Sequence, residues 1–465
     1  MRMRPGQRCR SIGSVPRIAP ALHRPGFTAP RSALTSFFAR WLYSTFERLA
    51  VPGRLAHLWW RGREHRGYRL RWLERLAWGG ARAQPASVWL HAHTQADVAV
   101  AAVMVAELRK LNPSWRYLVT HGEAEGRADG HALLKPGDVQ AWLPFDTPGA
   151  TRRFFKRHQP RVGVLTENLA HPNLLHAAAR AGVPLMVANA QLDEQEFART
   201  LKRSALHAPG LASIALVLAQ SDGDALRLAK AGAQQVRVFG NLKFDVEPPL
   251  KLVARGVEWR QKLNRTVVLA AGTREGEEVR LLDAWRALPA PRPLLVIVPR
   301  RLQRLPRIAW AVRHRGLQMT RRSRWTHLPP EGAREVDVWL GDVKGEMAMY
   351  FGMADVTLLG GSFDDRHDGQ NLIEAAACGC PVLIGPHTRR HENVVELALA
   401  AGAAERVPDM AQAVARAAGL AGDPRRDTWV RNAFAFTAAH RGTVNRVVGA
   451  LLALMTTGAR TPPMR

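Results

Sequence analysis

Six short apolar runs, at residues 88–90, 117–119, 162–165, 185–187, 214–218 and 236–239, recur between helical stretches. After Asp245-Val246-Glu247-Pro248-Pro249 the rhythm restarts with five more, at 267–269, 294–298, 338–340, 356–359 and 382–384. Short runs rich in Val, Ile and Leu, set between helical patterns, are the mark of parallel strands buried on both faces. The restart after a proline pair predicts an α/β chain with two Rossmann-like domains facing a central cleft. A length of 465 residues is enough for two cores. No internal repeat is visible. The expected organisation is a disordered basic N-terminus over 1–32, an interfacial basic and aromatic segment over 33–80, an N-terminal domain over 81–245, a C-terminal domain over 250–428, and a terminal helix over 429–455 that crosses back.

The formal net charge of +28 points to a polyanionic partner. Residues 1–80 carry sixteen Lys plus Arg against three acids, Glu47, Glu64 and Glu74. Phe37, Phe38, Trp41, Leu42, Tyr43, Phe46, Leu55, Leu58, Trp59 and Trp60 interleave with those arginines. That mixture describes a segment lying on an anionic membrane surface, where each cation contributes on the order of 1 kcal/mol. A solvated basic helix packed on the core is the plainer alternative. Nucleic acid is not expected, because zinc-finger spacing and RNA-binding signatures are missing. Arg40, Glu47, Arg48 and Arg54 interrupt the apolar run well before about 20 residues accumulate, so a membrane span is not expected there. Residues 204–221 are uncharged, but His207, Pro209 and Gly210 divide them into a helix end and a strand of the core. The first thirty residues lack a continuous apolar stretch and do not read as a secretory signal. Cys9, Cys378 and Cys380 have neither metal-ligand nor disulfide spacing, which fits a reducing compartment.

Chemistry is concentrated in residues 338–386. The run 356–359 stops at Gly360-Gly361-Ser362, as a buried strand does where its chain turns sharply, and the carboxyl ends of such strands are where open α/β sheets bind ligands. Gln370-Asn371-Leu372-Ile373-Glu374 opens an Ala-rich helical segment, with Asn371 and Glu374 three apart on one face. A face of that kind holds a phosphate and a ribose together. Arg300 directly follows the run 294–298 and offers a phosphate a fork of donors, with Arg301 and Arg304 to supplement it; a surface salt bridge is its bland alternative. Asp364-Asp365 follows too exposed a turn to argue for a metal, and neither a metal site nor a cofactor is expected.

With Leu340-Gly341-Asp342, Gly345-Glu346, Gly360-Gly361-Ser362, Asn371, Glu374 and Gly385-Pro386-His387, the chain resembles the 3-deoxy-D-manno-octulosonic acid (Kdo) transferases of lipopolysaccharide biosynthesis, which are GT-B glycosyltransferases. Asn241-Leu242-Lys243-Phe244-Asp245, Gly276-Glu277-Glu278 and Pro299-Arg300 extend the match, which spans about residues 42–452. The resemblance implies inverting transfer of Kdo from CMP-Kdo to a lipid A precursor at the cytoplasmic face of the inner membrane. It implies donor contacts from Gly272-Thr273, Arg300, Gly360, Gly361, Ser362, Asn371 and Glu374, with Glu374 on the ribose.

On the acceptor side the sequence departs from that family. His91-Ala92-His93-Thr94-Gln95-Ala96-Asp97 follows the first run, and Asp97 stands where the family has its catalytic glutamate, which makes Asp97 the implied base. A side chain shorter by one methylene has less reach towards an acceptor hydroxyl. His93, Glu167 and Asn189 are further candidates for orienting the acceptor; a structural role is the alternative for the histidine, and helix capping for Glu167. Thr120-His121-Gly122 replaces a threonine run, Glu167-Asn168-Leu169-Ala170-His171-Pro172-Asn173 lacks one glutamate and a tryptophan of the pattern, and Gln191 replaces an arginine. On the donor side Arg301-Leu302 and Gln370 replace milder positions. A catalytically silent nucleotide-binding relative that regulates or scaffolds lipopolysaccharide assembly, or a transferase with a changed donor or acceptor, remains the alternative reading.

Overall fold

A computed structural model describes residues 33–458 apart from 64, 86, 167–170, 421–422 and 424. Segment 1–32, Cys9 and the candidate Glu167 lie outside the described residues. The first sheet contains β1 (Val88–Ala92), β2 (Tyr117–His121), β3 (Val139–Trp142), β4 (Val162–Thr166), β5 (Leu185–Ala190), β6 (Leu216–Ala219) and β7 (Val236–Val238). The second contains β8 (Val267–Thr273), β9 (Leu294–Pro299), β10 (Met319–Arg321), β11 (Val338–Leu340), β12 (Val356–Leu359), β13 (Val382–Ile384) and β14 (Ala404–Arg406). Both sheets are parallel throughout, in the orders β3-β2-β1-β4-β5-β6-β7 and β10-β11-β9-β8-β12-β13-β14.

Residues alternate between the two faces of each strand, so a sheet covered by helices needs apolar side chains at every position. In β1, Trp89 packs with Phe154, Leu165 and Leu175 on one face, while Val88 and Leu90 pack with Met104 and Val164 on the other. The second sheet is buried the same way, with Leu269 and Val296 on one side and Val268 and Leu295 on the other.

Strand order reverses between β1 and β4 in the first sheet, and between β8 and β12 in the second. Diverging connections leave a crevice at such switch points, beyond the carboxyl ends of the strands. Each sheet also has a register shift at its cleft edge, between Val187 and Ala190 and between Ala271 and Thr273. Both shifts coincide with left-handed backbone, at Asn189 (φ 59°) and Gly272 (φ 66°).

The chain passes from the first sheet to the second after Asp245 and returns near Gly442. Helix Arg425–Ala439 packs in the core of the second sheet through Ala433 and Phe436. Helix Thr443–Gly458 packs on the first through Val447, Val448 and Leu451. The Asp245 carboxylate ties the two crossings, accepting from the amides of Gly442 (2.6 Å) and Val444 (2.7 Å). Phe244 stacks on His440, with ring centroids 4.9 Å apart.

The first described element, helix Ala33–Arg61, is amphipathic in the unusual sense. Its buried residues are Ser44, Glu47 and Leu58, and Ser44 donates to Asn173 across 3.0 Å. Its exposed side carries Leu34, Phe37, Phe38, Trp41, Leu42, Phe46 and Leu49, each more than half exposed. No described helix is long and apolar enough to cross a membrane.

Candidate active site

At the β8/β12 switch point two loops touch. A Cβ at Gly360 would lie 2.6 Å from the Gly272 carbonyl oxygen, so only glycine allows this approach. Gln370 closes the other side, donating to the Gly272 carbonyl across 2.6 Å. Beneath the loop, the fully buried Glu277 accepts from the amides of Gly361 (2.8 Å), Phe363 (3.2 Å) and Arg274 (2.7 Å). Burial raises its pKa, and those amides pull it partly back. Ser362, also buried, donates to the Leu359 carbonyl (2.5 Å) and accepts from Gly385 N (2.9 Å). Thr273 donates to Glu278 (2.8 Å), which in turn holds Arg304 through both oxygens, at 2.7 and 2.9 Å.

Of the donor candidates, Thr273 and Ser362 therefore have hydroxyls engaged within the fold, and Gly360 and Gly361 supply the close-packed turn. Asn371 accepts from Ile373 N (2.9 Å) just ahead of the one-turn helix Ile373–Ala377. Glu374 lies on that helix with an exposed carboxylate, and the protein mass around it still raises its pKa by dehydration, a combination that fits a concave surface. Arg300 is exposed, anchored through its amide to the Thr273 carbonyl (3.1 Å). Arg304 is less able to supplement it, because Glu278 neutralises its charge through both Nη nitrogens. Sequence reasoning passed over Arg274, which follows Thr273 as directly as Arg300 follows β9; that parallel placement was its available signal.

At the β1/β4 switch point, Asp97 is the third residue of helix Gln95–Leu111 and completes a capping box with Thr94. Its Oδ2 accepts from Thr94 N and Thr94 Oγ1, both at 2.8 Å, and the residue is 2% exposed. Near the same strand end stand three histidines, His91, His93 and His171. His91 is fully buried, with Nδ1 3.0 Å from Thr120 Oγ1. His91 Nε2, His93 Nδ1 and His171 Nε2 are buried without a hydrogen-bond partner among the described residues. Dehydration, and then the neighbouring histidines, hold His91 well below the usual imidazole range; dehydration and His93 bring His171 to about 4. Gly122 leaves the space His93 fills, since a Cβ there would meet its Nδ1 at 2.0 Å.

Asn189 is a brace. It is buried, its side chain accepts from Leu242 N (2.8 Å), and its carbonyl accepts from Gln220 (2.9 Å), which fixes the segment leading into the domain crossing. Gln191 donates to the Arg390 carbonyl, and Arg390 approaches Glu196 (3.8 Å), so the two domains also touch at the far end of the cleft. Among the described residues no three His, Cys, Asp or Glu side chains are arranged to hold a metal. Asp364 is paired with Arg366 at 2.7 Å.

Residues 70–246 match the family described as 3-Deoxy-D-manno-octulosonic-acid transferase (kdotransferase). The 3-deoxy-D-manno-octulosonic acid transferase of Bordetella pertussis is 41% identical over 391 residues, covering 81% of this chain and 90% of the relative. That of Haemophilus influenzae is 29% identical over 360 residues, 75% of this chain and 83% of the relative. Among solved structures, Anabaena HepE in complex with UDP superimposes with a TM-score of 0.54 at 13% identity, covering 79% of this chain and 99% of that one. A glycosyltransferase from Rickettsia africae superimposes with a TM-score of 0.55 at 10% identity, covering 82% and 100%. At those identities the likeness is one of fold, and the fold is GT-B.

Proposed function

We propose, from the premise that this chain belongs to the Kdo transferase family and is a glycosyltransferase, that it transfers Kdo from CMP-Kdo to a lipid A precursor with inversion at the anomeric carbon. What supports the reading is that the 391-residue match to the Bordetella relative runs over 90% of that protein, too long to leave out either half of the cleft. On this reading CMP lies at the β8/β12 switch point. Arg300 meets the phosphate, the Gly360-Gly361 turn lets the donor approach the backbone closely, and Asn371 and Glu374 face the nucleoside. Fixed cations around the phosphate stabilise the charge that develops as CMP leaves.

The acceptor hydroxyl attacks the anomeric carbon from the other side of the cleft, and a carboxylate takes its proton as the new bond forms. Asp97 is that base. Thr94 orients Oδ2, and the acceptor has to reach the carboxylate through the slight opening that its 2% exposure leaves. His93 lines the approach and orients the acceptor. Helix Ala33–Arg61 holds the enzyme on the anionic surface of the cytoplasmic leaflet, its aromatic stripe in the headgroup layer and its arginines on lipid phosphates.

One observation favours a second reading. Asp97 is both shorter than the family glutamate and engaged in capping, the state expected of a silent relative that binds nucleotide without turnover. Mass spectrometry of a tetra-acylated lipid A precursor, after incubation with CMP-Kdo, separates the two. A gain of one or more Kdo units with the wild type, lost with Asp97→Ala and partly kept with Asp97→Glu, is expected of the transferase. Saturable CMP binding with no gain in mass leaves the silent relative.

A further inference from the structure

Four arginines stand at the carboxyl ends of β8 and β9: Arg274 directly follows Thr273, whose carbonyl accepts from Arg300 N (3.1 Å), and Arg301 and Arg304 come next along the chain. Two carboxylates stand among them, and both are committed. Glu278 holds Arg304, and Glu277 is surrounded by the amides of the glycine loop. The cluster keeps an excess of two positive charges, and no salt bridge to Arg274, Arg300 or Arg301 is found among the described residues.

Arg274 is set apart within this group. Its stem runs over the glycine turn, so that a Cβ at Gly361 would lie 3.5 Å from its Cγ. Its Nε is buried and has no hydrogen-bond partner among the described residues. Dehydration lowers its pKa, and Arg300 and Arg301 lower it further, against the partial opposition of Glu277. A partly dehydrated guanidinium beside two like charges costs stability, and a bound anion offsets that repulsion.

We infer that Arg274 holds a carboxylate carried on the anomeric carbon of the donor sugar, next to the phosphate held by Arg300, and thereby selects a CMP-linked 2-keto acid over a neutral sugar. The inference rests on the donor proposed above. A phosphodiester supplies one negative charge, and the two uncompensated cations call for a second within a few ångströms. In a 2-keto acid donor the carboxylate and the glycosidic phosphate oxygen share one carbon, so the two anions are neighbours, as the two guanidiniums are. A neutral sugar on CMP leaves one guanidinium unanswered.

Calorimetric titration of the full chain with the methyl diester of CMP, a monoanion like the phosphate of the donor, and with CMP-Kdo, without acceptor, tests this directly. Arg274→Gln is expected to weaken CMP-Kdo tenfold to a hundredfold, the scale of one charge-assisted contact, and to change the methyl diester by less than threefold. Arg300→Gln weakens both ligands, and Arg274→Lys keeps part of the CMP-Kdo affinity. Because the glutamine relieves charge repulsion, Arg274→Gln should unfold no earlier than the wild type. Equal weakening of both ligands, no weakening of either, or a loss of thermal stability in Arg274→Gln would each overturn the inference. Selective loss of CMP-Kdo binding in a protein that forms no product would leave it standing and overturn the transferase reading instead.

Discussion

A carboxylate beneath a glycine turn is one of the main ties that hold the turn in place. Glu277 is fully buried and accepts from the amides of Gly361, Phe363 and Arg274, so three backbone donors depend on one side chain. Glutamine in its place keeps the shape but turns an NH2 group towards those donors. The expected loss is about 1–3 kcal/mol, the cost of an unsatisfied buried donor, visible as a lower thermal midpoint for Glu277→Gln together with weaker CMP binding in a calorimetric titration. Unchanged CMP affinity would mean that the turn is held by Ser362 and Gln370 alone. The same residue shows the limit of reading motifs. Gly276-Glu277-Glu278 was recognisable as part of a pattern, but that Glu277 ties the loop after β12 and Glu278 neutralises Arg304 depends on contacts between residues far apart in the chain. Asn189 teaches the converse: it stands at the cleft edge, where ligand contact was the natural expectation, and its side chain braces the domain crossing. Asp97 closes a capping box in addition to the role of base proposed for it.

Eleven of the fourteen strands could be read from apolar runs, and the three that could not, β3, β10 and β14, each lie at a sheet edge. An edge strand is partnered on one side only and partly wet, so it carries Gln140, or Thr320 and Arg321, or Glu405 and Arg406, and its apolar signal disappears. The switch points were not legible either, because they follow from strand order, which no local pattern encodes. Helix Ala33–Arg61 was legible by composition and surprising in orientation: its small and polar residues pack on the protein, and its aromatic stripe faces out. Exposed side chains contribute little to folding, so replacing Phe38 and Trp41 by serine should move the thermal midpoint by no more than a degree or two. Each large apolar side chain buried in a bilayer interface is worth about 1.5–3 kcal/mol, so the same double variant should bind phosphatidylglycerol vesicles at least tenfold more weakly in a co-sedimentation assay. Equal vesicle binding would assign the membrane surface to some other part of the chain.

At the scale of the whole molecule, the chain carries +28 formal charges and keeps several of its histidines from adding to them. Burial holds His121, His158, His171 and His391 at about 4, and His91 well below the usual range, while an unfolded histidine titrates near 6.5. Between those values the unfolded chain binds more protons than the native one, so stability must fall as pH falls through the window and be fully present above it. Asp146 acts in the opposite sense. Burial raises its carboxyl to about 6, against the pull of Asn173 N, Leu174 N and Tyr43, so that it favours the fold as pH falls between about 6 and 4. Burial shifts Glu277 and Glu374 the same way. These acids offset part of the histidine effect in the lower half of the window, whereas between pH 6.5 and 6 the histidines act almost alone. Each uncompensated proton changes stability by about 1.4 kcal/mol per pH unit. Urea unfolding at fixed salt should therefore show a midpoint that is flat well above pH 7, drops most steeply around pH 6, and falls more gently towards 4. His121→Asn and His158→Asn should each flatten that descent, since each removes one of the protons refused. A midpoint that rises on acidification would place the buried carboxylates, not the histidines, in control of the acid limb.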